Sequence, residues 1–236
     1  MNVGTVESLW RYPVKSMRGE ELREIFVGFG GFAGDRLFAF RSSAAPTDFP
    51  YFTARQQKEM LRYKPRLAPN ESSLQVEMPS GETLAIDDPR LIESLRASVD
   101  ARHELSLMQS ERALADAFPV SLISLNTVQA LAAEAGIPPE KRRFRANIYA
   151  DLSGSPFAEN DFVGRQLRIG RDVVVAVAKW DARCVMINLH PDSTAASPAL
   201  LKTVAQRHGG TAGVYGDVVN EGIIRTGDSI ELLSAQ

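Results

Sequence analysis

The sequence predicts a mainly β fold of α+β character, one or two small β barrels with a few peripheral helices. Three observations carry this. Short segments that alternate apolar and polar residues recur along the chain, as half-buried strands require. Glycine, proline and aspartate clusters separate them. Three stretches alone combine helical spacing with recognisable caps.

In chain order, WRYPVKS (10–16) begins strand-like and is broken by Pro13, which removes a ladder donor and puts Lys15 and Ser16 on a bend. Leu22, Ile25 and Val27 lead to the glycine-rich turn Gly28 to Gly34, after which Phe38 and Phe40 alternate in RLFAF. APTDFPYF (45–52) is a loop by its two prolines. Leu74, Val76 and Met78 before PSG, with Leu84 and Ile86 after it, form a hairpin. Residues 87–99 read as a helix with Asp88 as N-cap and Pro89 in first position. Residues 126–136 read as a second, with Asn126 and Gln129 at capping-box spacing and Gly136 as the stop. A third covers 197–210, with Ser197 as cap and Gly209 closing it. RFRANIYAD, RQLRIG and DVVVAVAKW are strand-like, and GIIRTGDSIELL reads as a closing hairpin turning at Thr226 to Asp228. The 236 residues suffice for two compact units, and the expected division is 1–110 and 111–236.

Composition narrows the function. A content of 44% hydrophobic and 24% charged residues builds a real core. A net charge of −2 provides no global drive toward nucleic acid, and KRRFR has no second basic patch or aromatic platform beside it. One cysteine excludes an intramolecular disulfide and any multi-thiolate metal site, and three scattered histidines form no ligand cluster. The first residues carry no long apolar stretch, and no run approaches the roughly 18 apolar residues of a membrane span. The expected setting is a reducing cytoplasm, where a lone thiol stays free.

Four constellations could carry chemistry. Lys15 and Ser16 offer a point charge and a hydroxyl suited to phosphate, or a solvated lysine beside a turn serine. In GFGGFAGDR (28–36), Arg36 is either a ligand-binding guanidinium or half of an ion pair with Asp35. The run is no dinucleotide fingerprint, since a strand rather than a helix follows it. In KRRFRAN (141–147), a strand would place Arg143, Arg145 and Asn147 on one face as an anion cradle. The same residues could be a basic edge strand kept soluble by charge. In KWDARCVMINLHPDS (179–193), Arg183 favours the thiolate of Cys184 and Asp181 opposes it. Lone cysteines are also often inert buried residues.

YPVKS (12–16), a glycine-rich turn ending in GDR (34–36), RRFRAN (142–147), the RC pair at 183–184 and GIIRTGD (222–228) occur together in this order. That series resembles the MOSC family, named for the C-terminal domain of molybdenum cofactor sulfurase, over about residues 3–233. The likeness is to two-part members with an N-terminal β-barrel segment, including the mitochondrial amidoxime-reducing component and its bacterial counterparts.

The resemblance implies a MOSC-type β barrel and a mononuclear molybdenum held by a pterin dithiolene. Cys184 would be the protein's sulfur ligand and the catalytic centre; soft thiolate suits such a metal. Lys15, Ser16, Arg36, Arg143, Arg145 and Asn147 would hold the pterin and its phosphate, with Arg183 beside the metal. Ser121, Ser124 and Asn126, in VSLISLNT, match the family's serine-rich segment before a helix whose N–H groups could face the phosphate. Two departures stand out: Ala146 replaces a common proline, and Asn-Leu-His follows Cys184 where relatives have a Thr-Val-Asp-like stretch. The implied activity is reduction of N-hydroxylated compounds, with electrons from a separate protein. The alternative is a non-catalytic cofactor or sulfur carrier with a persulfide on Cys184.

Overall fold

The computed structural model describes residues 1–68, 73–97, 99–100 and 102–234. Seven strands close into a barrel: β1 (Asn2–Arg11), β2 (Val120–Ser124), β3 (Ile148–Leu152), β4 (Gln166–Ile169), β5 (Val173–Ala182), β6 (Thr211–Asn220) and β7 (Ser229–Leu232). Around the barrel the order is β1, β3, β2, β6, β5, β4, β7 and back to β1. Every pairing is antiparallel except β2 with β3. Closure removes the exposed edges that an open sheet would present.

Alternation along the strands fills the interior. Val173, Val175 and Val177 of β5 point inward and join Val6, Ile148, Leu167 and Ile230 in one core. Where β1 meets β3, a Cβ on Gly4 would lie 2.2 Å from the Asp151 carbonyl oxygen, so only glycine permits that approach. A three-stranded sheet of Glu24–Gly28, Gly31–Phe32 and Gly222–Arg225 caps the barrel and adds Ile25, Val27, Phe32 and Ile224 to its core.

A second core is built from two further sheets. One pairs Phe38–Ser42 with Tyr51–Phe52 and Leu105–Gln109; the other pairs Lys64–Leu67, Leu74–Glu77 and Thr83–Ala85. Helix α1 (Pro89–Arg96), capped by Asp88 as its sequence predicts, covers them with Leu91 and Leu95. Helices α2 (Leu125–Ala135) and α3 (Pro198–Arg207) pack outside the barrel around Trp10, Phe144 and Tyr149. β1 and the Glu24–Phe32 hairpin, which precede residue 110, both pair within the barrel and its cap.

Three expectations are corrected. Ile224 and Ile230 do not face each other across a hairpin: Gly222–Arg225 pairs with Glu24–Gly28, whereas β7 pairs with β1 and β4. Helix α2 begins one residue before Asn126, because the Ser124 hydroxyl is the cap. The basic run is no strand. Lys141–Phe144 forms a 3-10 turn capped by the Glu140 carboxylate, and Arg145 is left-handed at φ +53°. No described helix is long and apolar enough to cross a membrane.

Candidate functional site

Pro13 ends β1, and the chain then turns back: the Lys15 backbone N–H donates to the Phe38 carbonyl at 2.8 Å. Ser16 is left-handed at φ +66°. The Lys15 ammonium is 7% exposed, donates to the Leu114 carbonyl at 2.7 Å and pairs with Asp116. It lies 4.7 Å from the centre of the Tyr51 ring and 5.5 Å from that of Phe49. Burial is the largest influence on Lys15 and lowers its pKa, with Asp116 offsetting part of this. Burial works to raise the Asp116 carboxyl, but Lys15 outweighs it and the group titrates below its ordinary value.

The GDR turn carries the next cation. Asp35 is fully buried, accepts the Tyr12 backbone N–H at 2.7 Å and pairs with Arg36. The Arg36 guanidinium is therefore ion-paired, and it also faces the cleft described below. Its Nη2 donates to the Arg145 carbonyl at 3.0 Å. The guanidinium carbons of Arg36 and Arg145 lie 4.7 and 4.4 Å from the centre of the Tyr12 ring. Burial works to lower the Arg36 pKa, but Asp35 overrides it and the pKa rises. Arg145 lacks such a partner, and burial lowers its pKa.

The four basic residues of the KRRFR turn diverge. Lys141 binds Glu7 and Ser8, and Arg142 binds Glu140 and Asp192, both away from the cleft. Arg143 donates from Nη1 to the Asn188 carbonyl at 2.6 Å, and its buried Nε has no partner. Asn147 accepts from both the backbone N–H and the hydroxyl of Ser121, at 3.2 and 3.0 Å, which joins β2 to the turn.

Cys184 follows the end of β5 and leads the turn Val185–Asn188; its thiol is free and half-buried. Arg183 beside it donates from Nε to the Ala212 carbonyl at 2.7 Å and from Nη1 to the Phe144 carbonyl at 2.8 Å. Its Nη2 lies 2.8 Å from Asp181 Oδ2, but out of alignment, so the charge attraction is present without a directional hydrogen bond. Gly213 (φ +78°) lets β6 pass this point, since a Cβ there would sit 2.7 Å from the Leu122 carbonyl oxygen.

Lys15, Ser16, Arg36, Ser121, Arg143, Arg145, Asn147, Arg183 and Cys184 all line one cleft of about 760 Å³, counted to its open mouth. Ser124 and Asn126 do not. The Ser124 hydroxyl accepts from the Asn126 backbone at 3.2 Å, and the Asn126 amide donates to the Leu152 and Gly154 carbonyls, so both secure α2. The cleft also holds residues that sequence reading missed: Phe49 from the proline loop, Thr53 and Arg55 just after the Tyr51–Phe52 strand, Asp116 and Phe118 from the segment before β2, and Tyr215 of β6. Pro46 and Pro50 identified the first of these only as a loop. Glu140, His190 and Asp192 lie close enough together to suggest a metal site, but Arg142 already holds both carboxylates.

The MOSC N-terminal beta barrel domain family matches residues 3–119, and the MOSC domain family matches residues 109–231. A comparison with curated proteins finds no match. The crystal structure of YuaD protein from Bacillus subtilis is 15% identical at a TM-score of 0.54, with 99% of this chain and 97% of that one covered; this likeness concerns the fold. YiiM from Geobacillus stearothermophilus is 20% identical at a TM-score of 0.39, covering 50% of this chain and 55% of that one. YiiM from Escherichia coli is 16% identical at a TM-score of 0.36, with 50% and 56% covered. On the two family matches, which together span the barrel, its cap and the second core, the chain belongs to the MOSC family in its two-part form.

Proposed function

We propose that this protein holds a molybdenum–pterin cofactor in the cleft, with Cys184 as the protein's sulfur ligand, and reduces N-hydroxylated compounds. One observation carries the reading. Six cationic side chains (Lys15, Arg36, Arg55, Arg143, Arg145 and Arg183) and two acidic ones (Asp116 and Asp181) converge on the cleft that holds the only thiol of a chain whose net charge is −2.

The donor set fits such a group. Arg143 Nε is buried without a hydrogen-bond partner among the described residues, and an unpaired donor of that kind calls for an anionic acceptor. Lys15, Ser16, Arg36 and Arg145 would offset phosphate charge, which is costly to bury unpaired. The Cys184 thiol is the soft donor that a sulfur-rich molybdenum sphere favours. When bound, the cofactor supplies the two-electron redox chemistry. The chain's own residues bind and orient, and Phe49, Phe118 and Met186 give the wall apolar surface for an organic substrate.

The overall change is R–NHOH + 2 e⁻ + 2 H⁺ → R–NH₂ + H₂O, in which the N–O bond breaks and the oxygen leaves as water. The electrons are taken to come from a separate donor protein. A single free thiol suits a reducing compartment, and a cytoplasmic location is part of the reading.

The test is molybdenum analysis of wild type and Cys184→Ala from a cofactor-competent host, with benzamidoxime reduction by a chemical electron donor. Expected are near-stoichiometric metal and amine formation in wild type and loss of activity in the variant. Metal-loaded wild type that forms no amine from any N-hydroxylated substrate overturns the reductase. The half-exposure of Cys184 favours one second reading, a sulfur or cofactor carrier. Mass spectrometry that finds added sulfur on Cys184 in molybdenum-free protein would select it.

A further inference from the structure

We propose that Asp181, beside Tyr215, is the proton donor of the cleft and protonates the oxygen released when the N–O bond of a substrate is cleaved; this rests on the reductase reading above. The first support is position. Irregularities in the β5–β6 pairing, between Val177 and Lys179 and again between Trp180 and Ala182, bend the end of β5. Trp180 is exposed there, and Asp181 is buried and lines the cleft wall three residues before Cys184. Its side chain is 3% exposed, and Oδ2 has no hydrogen-bond partner. Tyr215, from the neighbouring strand β6, lies beside the carboxyl in the same cleft wall and works to lower its pKa.

Electrostatics separate the two acids of the cleft. Four groups face Asp181: Arg183 beyond its own strand end, Tyr215 from β6, Arg36 from the GDR turn and Asp116 from the segment before β2. Burial dominates and pushes the carboxyl up to about 6, against the opposing pull of Arg183, Tyr215 and Arg36. Asp116 is half-exposed, paired with Lys15 and held below its ordinary value. One carboxyl thus keeps its proton up to about pH 6 while the other ionises well below that, the pattern by which paired acids divide their roles. Burial raises the Tyr215 hydroxyl, which keeps its proton.

The step balances. Hydroxide is a poor leaving group and water a good one, so the departing oxygen needs protons as two electrons arrive from the external donor. Asp181 Oδ2 gives one proton, solvent gives the second, and Asp181 is reprotonated from water. After transfer the carboxylate is not stranded, because the Arg183 guanidinium lies 2.8 Å away.

The experiment measures kcat/KM for benzamidoxime against pH, with dithionite-reduced viologen as donor, for loaded wild type, Asp181→Asn and Tyr215→Phe. In parallel, ¹³C-carboxyl aspartate labelling follows Asp181 in cofactor-free protein. Wild-type kcat/KM is expected to fall as pH rises through about 6, the group's own titration point. D181N should lose at least about tenfold at low pH together with that limb, while keeping its molybdenum. Y215F should move the limb upward, since the tyrosine hydroxyl works to hold the pKa down. One labelled signal titrating near 6 should vanish in D181N. Wild-type turnover with an unchanged rate and profile in D181N, or the absence of that signal, overturns the proton donor alone. No amine from loaded wild type overturns the reductase reading and this inference with it.

Discussion

The guanidinium of Arg143 donates from Nη1 to the carbonyl of Asn188 at 2.6 Å, and so fastens the basic turn to the segment that leaves Cys184. Weaker bonds to the Ile187 carbonyl and the Ser197 hydroxyl, both at 3.4 Å, complete the fastening. The arginine holds the thiol's own turn as well as facing the cleft.

Arg143→Met should therefore cost about 1–3 kcal/mol, the range for leaving buried carbonyls without their donor. Amide exchange should accelerate at residues 185–189, and urea denaturation should show the loss. Unchanged exchange there would mean that the arginine does not order the turn.

Ser124→Ala removes the α2 cap and should destabilise by about 1 kcal/mol. Because the hydroxyl faces the Asn126 backbone rather than the cleft, molybdenum content should stay at the wild-type level. Thermal melting and metal analysis check the two halves of this expectation. Metal loss at wild-type stability would return Ser124 to the binding site.

Asp35 is fully buried and is the counter-ion of Arg36. Asp35→Asn leaves that arginine uncompensated and should cost about 3 kcal/mol, larger than the loss from any surface pair. The double variant Asp35→Asn, Arg36→Met should recover part of the loss in denaturant titrations. A purely additive result would show that the two charges do not cooperate.

Asp181 should impose a pH dependence on stability opposite to that of an ordinary carboxylate. In the folded chain it holds its proton up to about pH 6. The unfolded chain releases it at roughly 4. Its contribution is complete below the lower value and is lost as pH rises through the higher one. The stability of wild type minus that of D181N should fall between pH 4 and 8 by on the order of 3 kcal/mol, read from urea melts. A flat or rising difference would refute the raised carboxyl.

The strands with strict alternation were legible. Val173, Val175 and Val177, or Leu74 and Val76, alternate because one face is buried, and local sequence records that directly. Helix caps were equally plain where Pro89 follows Asp88 and where Gly136 accepts a left-handed conformation. The RFRAN run misled because its left-handed Arg145 is imposed by tertiary contacts, the Tyr12 ring and the Arg36 hydrogen bond, which no local pattern encodes. GIIRTGDSIELL misled in the same way: its two strands choose distant partners over each other, Glu24–Gly28 for the first and both β1 and β4 for the second. In the cleft, the residues adjacent in motifs were found, whereas Asp116, Tyr215 and Phe49 arrive from segments with no chemical signature of their own.

The strand at residues 2–11 is a stave of a barrel whose other staves reach as far as residue 232. During synthesis its far end can pair at once with Glu20–Leu22, but the stave waits for residues 148–152 on one side and 229–231 on the other before the barrel closes. Proteins built on such distant pairings fold slowly and expose sticky intermediates on the way. The cleft draws its residues from Lys15 through Tyr215, so a cofactor meets a complete site only once β6 has been made and docked.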